Sequence, residues 1–225
     1  MTNPKTVKLF VDNKKIEVEE GATLLKACLD NNIYIPNLCY LNGMDNPPAS
    51  CRMCFVEIEG DQKPVTSCTV RVREGMVVKT DTPDVRQLQR TALKLLLSVH
   101  DVDCAHCPAN KKCELQRIAK YLKVGLKPKN LELLLREPEI DEEHPILDYY
   151  PNRCVLCGKC IHACKAKNGQ PILAFARRGF NTVITFYGEK TSNDMKFSCD
   201  KCLACVEICP VGAITLKNST VYHYR

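Results

Sequence analysis

The chain has 225 residues, 26% charged and 45% hydrophobic, which is room for one large domain or two to three small ones. Its formal charge of +6 forms no basic block, with lysines and arginines reading as scattered among acids, so nucleic acid is not an expected partner. No apolar run is long enough for a membrane span and no apolar core follows the polar start before Val7, so a cytoplasmic location is expected, where the 16 cysteines stay reduced.

Thr6–Val11 alternates, with Val7, Leu9 and Val11 on one side, as a half-buried strand does. Asp12–Lys15 reads as a hairpin turn and Ile16–Glu19 as the return strand. Thr23 is placed to cap a short helix through Asp30. Leu25, Cys28 and Leu29 share one side of it, so Cys28 is expected as a small buried hydrophobe. Ile33–Cys39 is expected to be extended, interrupted by Pro36. The stretch CRMCFVEIEG then passes from a tight loop into an alternating strand, and Val65–Val72 and Met76–Lys79 read as two more short strands.

Four cysteines remain in this region: Cys39, Cys51, Cys54 and Cys68. A small mixed sheet with one helix and this set resembles the plant-type [2Fe–2S] ferredoxins, a β-grasp fold. The first gap is eleven residues, however, against four in the plant-type pattern. The longer gap is similar to the ferredoxin-like domain that opens the large iron–sulphur subunit of respiratory complex I and its diaphorase and hydrogenase relatives. That resemblance implies a [2Fe–2S] cluster on these four cysteines, with zinc as the alternative. Where the relatives usually carry glycine two residues before the second cysteine, this chain has Ala49.

Thr82 is the expected N-cap of a second helix, with Pro83 at its first position and Asp84 in its first turn. Val85, Leu88, Ala92, Leu95, Leu96 and Val99 recur at helical spacing and are expected as its buried stripe. The helix leads to His100, followed by Cys104, Cys107 and Cys113. One histidine and three cysteines are by spacing alone also a zinc set. The pattern is similar to the one-histidine, three-cysteine [4Fe–4S] site of complex I, diaphorase and [FeFe]-hydrogenase N-terminal modules. The resemblance implies that His100 is a ligand and that His106 faces outward. Cys113–Leu122 continues as a helix with Leu115, Ile118, Ala119 and Leu122 on its apolar side. Lys127–Pro151 holds Pro128, Pro138, Pro145 and Pro151 and reads as a surface connector, with one short helical piece at Leu131–Leu135.

Two runs close the chain, CVLCGKCIHACK and CDKCLACVEICP. Each is C-x2-C-x2-C-x3-C, the run of bacterial two-cluster ferredoxins, in which the fourth cysteine ligates the other cluster. One [4Fe–4S] cluster therefore falls on Cys154, Cys157, Cys160 and Cys209, and another on Cys164, Cys199, Cys202 and Cys205. Pro210 follows Cys209 as in that pattern, whereas Lys165 follows Cys164. Gly158 and Ala204 leave room for backbone beside the sulphurs. Between the runs, NTVITFYGE reads as part of a hairpin, with Phe175, Phe180 and Phe186 as its core packing.

The expected organisation is α+β: residues 1–80 a [2Fe–2S] ferredoxin-like domain, 81–125 a histidine-plus-cysteine cluster domain, 126–150 a connector, 151–218 a 2[4Fe–4S] ferredoxin-like domain with an inserted hairpin, and 219–225 a tail. One [2Fe–2S] and three [4Fe–4S] clusters would add a charge of about −7 and bring the loaded chain near neutrality. No G-x-G-x-x-G follows a strand, no phosphate loop appears, and His144 and His162 lack partner sets, so no catalytic residue is expected.

The resemblance runs from about Val7 to Leu216 and extends to the small diaphorase subunit of NAD(P)-linked [NiFe] hydrogenases. The sequence ends at Arg225, where the complex I subunit continues into a molybdopterin-like domain, and hydrogenase catalytic cysteine motifs are absent. It implies an electron-transfer subunit between a flavoprotein that binds NAD(P) and a hydrogenase catalytic subunit. The alternatives are the same module in a formate dehydrogenase or other electron-bifurcating complex, with soluble ferredoxin as a further partner, or a metal-stapled interaction protein.

Overall fold

The computed structural model describes residues 5–44, 46–187, 199 and 202–217. Two compact units divide the chain, Met1–Leu95 with Tyr121–Val124 and Leu96–Lys120 with Gly125–Arg225. Sheet and helix are mixed throughout, as in an α+β protein.

In the first unit, β1 (Thr6–Val11) and β2 (Lys14–Glu19) pair antiparallel, and Val7, Leu9 and Val11 are the buried members of β1. Asp12 and Asn13 make the turn at φ 48° and 67°, left-handed values that Asp and Asn tolerate and that match the twist of a two-residue hairpin. β3 (Phe55–Ile58), β4 (Val65–Thr66) and β5 (Val77–Lys79) complete a sheet ordered β2-β1-β5-β3-β4, with β1 and β5 parallel. α1 (Leu24–Asp30) starts where the Thr23 hydroxyl accepts from the Lys26 N–H at 3.3 Å. Leu24, Leu25, Ala27 and Cys28 from α1 join Leu9, Val11, Val56 and Val78 in one core. Burial pushes the Cys28 thiol up to about 12, as befits a cysteine that acts as a small hydrophobe.

The expected strand at Val65–Val72 stops after Thr66. The Ser67 N–H donates to the Cys54 carbonyl at 2.9 Å and the Thr69 N–H to the Thr66 carbonyl at 3.1 Å, so the chain turns there and delivers Cys68 inward.

α2 (Pro83–Leu97) opens with the Val85 N–H donating to the Thr82 hydroxyl at 3.2 Å. Its buried stripe differs from the expected one. Val85, Gln89, Leu93 and Leu97 are buried, four residues apart, while Leu88 and Leu95 are exposed. Gln89 takes a core position because its amide donates to the Phe55 carbonyl at 3.2 Å, and apolar periodicity alone does not select such a residue. α3 (Glu114–Leu122) buries Leu115, Ile118, Ala119 and Leu122, the expected side.

In the second unit, β6 (Leu147–Tyr149) pairs with β9 (Ile214–Leu216), and β7 (Leu173–Ala176) with β8 (Val183–Phe186). α4 (Lys159–Asn168) and α5 (Ala204–Glu207) carry parts of the two cysteine runs. The hairpin expected from NTVITFYGE forms through Phe186, while Gly188 and Glu189 lie outside the described residues, as do the rest of the spacer to Ser198 and the tail.

Leu131–Leu135 is not a helix. The Leu134 N–H donates to the Ser98 carbonyl at 2.8 Å, and Arg136 exchanges hydrogen bonds with the Asn152 side chain at 2.8 and 2.9 Å. Partners outside the segment thus replace the bonds within it that a helix needs. Core packing is also the wrong role for two of the three phenylalanines, since Phe175 and Phe180 are exposed. The Arg136 guanidinium lies 5.4 Å from the Phe180 ring centre, and Phe186 packs on the His144 ring at 4.5 Å. Among the described residues no helix is long and apolar enough to cross a membrane.

Candidate iron–sulphur sites

In the first unit the structure gathers Cys39, Cys51, Cys54 and Cys68 as two buried pairs. The Cys39 and Cys51 sulphurs are 3.4 Å apart, and the Cys54 and Cys68 thiols share a hydrogen bond. Within each pair one thiol is held below its ordinary value by the S–H of its neighbour, Cys39 by Cys51 and Cys68 by Cys54, and the other is raised. The Leu38 N–H points at the Cys51 sulphur at 3.4 Å. Ala49 and Arg52 hold φ of 51° and 52°, so Ala49 adopts the left-handed backbone that glycine would supply at that position.

In the second unit three cavities are each lined by one expected donor set. The first is bounded by His100, Cys104, Cys107 and Cys113. His100 is buried and its Nδ1 has no hydrogen-bond partner among the described residues. Burial pushes its pKa down to about 4, which leaves a neutral imidazole with a lone pair to offer a metal. His106 is exposed, with Nδ1 2.7 Å from the Asp103 carboxylate.

The second and third cavities show the crossed arrangement. Cys154, Cys157, Cys160 and Cys209 line one, and Cys164, Cys199, Cys202 and Cys205 line the other. The crossing follows from the local backbone. Gly158 and Leu203, each directly after the second cysteine of its run, are left-handed at φ 72° and 44° and start α4 and α5. Cys160 and Cys164 then stand one helical turn apart on α4 but line neighbouring cavities.

Donors converge on these sulphurs. The N–H groups of Leu156, Ile172 and Ala213 point at Cys154, Cys164 and Cys209 at 3.4, 3.4 and 3.2 Å, and the Asn168 amide at Cys164 at 3.5 Å. The buried Tyr149 hydroxyl hydrogen-bonds the Cys154 thiol. Burial raises the thiols of Cys154, Cys157, Cys160 and Cys205, those of Cys157 and Cys205 to about 12, so metal loading must displace protons.

These donor sets fit iron–sulphur clusters. Among the described residues no three His, Cys, Asp or Glu side chains converge closely enough for a single ion. A two-iron cluster needs two thiolates on each iron, and a four-iron cluster needs one donor at each corner of a cavity.

Three family models match the chain in succession: a 2Fe–2S iron–sulfur cluster binding domain over residues 4–83, an NADH-ubiquinone oxidoreductase-G iron–sulfur binding region over 89–126, and the ferredoxin-like domain of NADH-quinone oxidoreductase subunit 3 over 144–215. The chain is thus similar to iron–sulphur domains of these three kinds over most of its length. The NADP-reducing hydrogenase subunit HndD of Solidesulfovibrio fructosivorans is 35% identical over 92% of this chain and 35% of its own. The NADH-ubiquinone oxidoreductase 75 kDa subunit of Reclinomonas americana is 33% identical, aligning with 94% of this chain and 29% of its own length. The chain thus spans a quarter to about a third of the length of the curated relatives it matches. A chain in the crystal structure of NAD+-reducing [NiFe]-hydrogenase in the H2-reduced state superposes with a TM-score of 0.80 at 29% identity, covering 95% of this chain and 88% of that one.

Residues that carry no motif also shape these sites. The backbone donors have no side-chain signature. Tyr149 sits in the proline-rich stretch expected as a connector. Val211 lines both the His100 cavity and the Cys209 cavity, and its carbonyl lies 3.7 Å from the Cys107 sulphur. The Glu114 N–H donates to the Pro210 carbonyl at 3.0 Å, and an added Cβ on Gly212 would meet Ala109 Cβ at 3.0 Å. Only Gly212 offered a hint in the sequence.

Proposed function

We propose that the chain holds one [2Fe–2S] cluster on Cys39, Cys51, Cys54 and Cys68 and three [4Fe–4S] clusters, on His100 with Cys104, Cys107 and Cys113, on Cys154, Cys157, Cys160 and Cys209, and on Cys164, Cys199, Cys202 and Cys205. The segments 1–80, 81–125 and 151–218 carry them. When bound, the clusters store and release single electrons. The thiolates and the neutral His100 hold the iron. The N–H groups of Leu38, Leu156, Ile172 and Ala213 offset negative charge on the ligand sulphurs. The chain serves as a cytoplasmic electron-transfer subunit between a flavoprotein that binds NAD(P) and a hydrogenase catalytic subunit.

The observation that carries this reading is the partition of twelve donors among three cavities, each lined by one complete set with the fourth cysteines exchanged. The hydrogenase assignment rests on the likeness to the hydrogenase chain, which extends over most of both chains. The same module in a formate dehydrogenase is the second reading. Anaerobic isolation of the tagged chain from its host, followed by metal and flavin analysis, separates them. Nickel and flavin in proportion to the chain are expected. Molybdenum or tungsten instead favours the formate dehydrogenase, and zinc without iron overturns both.

A further inference from the structure

The two cysteine runs differ at the residue after the fourth cysteine, where Lys165 stands in one and Pro210 in the other. A proline has no N–H to give and its ring clashes with the carbonyl four residues back, so helices end before it. α5 ends at Glu207, ahead of Cys209 and Pro210. Lys165 imposes no such stop. α4 runs on through Asn168, and the Gly169 N–H closes on the Lys165 carbonyl at 2.9 Å. The first run thus gains a helical turn beyond its fourth cysteine, and Asn168 stands four residues after Cys164 on the same side of α4.

The Asn168 side-chain amide donates to the Cys164 carbonyl at 3.1 Å, and the same nitrogen lies 3.5 Å from the Cys164 sulphur. Only the nitrogen end of the amide carries hydrogens, and it carries two, one for each acceptor. The Ile172 N–H reaches the same sulphur at 3.4 Å. Cys164 is buried, whereas Asn168 is exposed and yet lines the Cys164 cavity. The amide therefore forms part of the outer wall of that cavity with its donor turned toward a ligand.

We propose that Asn168 is a positioning residue that acts through Cys164 to raise the reduction potential of the cluster on Cys164, Cys199, Cys202 and Cys205. The inference rests on the assignment of a cluster to that set. An oxidised four-iron cluster with four thiolates carries a charge of about −2, and one added electron takes it to about −3. The added charge spreads over its sulphurs, so an N–H directed at a ligand sulphur is bound more strongly in the reduced state than in the oxidised one. The donor therefore favours reduction. A proline in place of Lys165 would end the helix before Asn168 and take this donor away.

Redox titration of the cluster-loaded full chain, with dithionite as reductant and EPR as readout, tests the role. Cys205→Ala first identifies, by loss or change, the signal that belongs to this set. Asn168→Leu, of similar size but without a donor, should shift the reduction equilibrium of that signal toward the oxidised form by about three- to tenfold, or ~30–60 mV for one electron. Asn168→Asp, which loses the donor and adds a negative charge, should shift it further. Asn168→Gln keeps an amide and should shift it less than Asn168→Leu. The other signals should hold their potentials, and iron content should match that of the unaltered chain. Equal shifts in Asn168→Gln and Asn168→Leu, or no shift in Asn168→Leu and Asn168→Asp, overturn the role of Asn168 alone. If Asn168→Leu loads less iron, the comparison falls to the other two, and equal potentials in Asn168→Asp and Asn168→Gln overturn the role. A Cys205→Ala chain that keeps every signal unaltered overturns the cluster assignment beneath it.

Discussion

His100 and His106 are six residues apart and experience opposite surroundings. One is buried in a cavity wall with cysteines, and the other is exposed and paired with Asp103. His100→Ala is expected to remove one [4Fe–4S] signal from the EPR spectrum of the reduced chain, while His106→Ala leaves all signals in place. His100→Cys should keep the signal but lower its midpoint potential, because thiolate in place of imidazole adds a negative charge to the ligand shell. Loss of the signal in His106→Ala would reverse the assignment. Cys28 is the cysteine outside the four sets. Cys28→Ser buries a hydroxyl in an apolar core and should cost about 1–3 kcal/mol in denaturant unfolding, with iron content unchanged. The spacing that suggests these single-residue roles is visible in the chain because iron–sulphur ligands lie in short loops. The N–H groups aimed at the sulphurs were not legible, since every residue but proline carries one.

At the scale of elements, the start of α2 and the approach of the loop at Gly212 carry separate predictions. Thr82→Ala removes the oxygen that accepts from Val85 and the bond of Thr82 to the Glu57 carboxylate at 2.6 Å. It should destabilise the chain by about 1 kcal/mol in chemical denaturation and leave the cluster signals intact. Gly212→Val places branched carbons against Ala109 and Pro108 at a backbone φ of 65°, so both space and conformation oppose it. It should disturb the His100 and Cys209 signals together, because Val211 lines both cavities, and spare the Cys39 set. Capped helices and the β1–β2 hairpin were readable from local signals. β6 was not, because its partner β9 lies more than 60 residues away and its surroundings are proline-rich and charged. The stripe of α2 was read one position off because Gln89 is buried through a hydrogen bond. Leu131–Leu135 looked helical by composition but is fixed by Ser98 and Asn152, which no local pattern reveals.

For the whole molecule, four donor sets occupy two units, one set in the first and three in the second. One [2Fe–2S] and three [4Fe–4S] clusters, as proposed, would carry a charge of about −7 and nearly offset the formal +6 of the chain. The cysteine pattern made that plan readable. The decisive measurement is iron and acid-labile sulphide per chain, determined anaerobically. About 14 of each is expected from one two-iron and three four-iron clusters. A value near ten would strike one four-iron site from the assignment, and zinc with no sulphide would contradict electron transfer altogether.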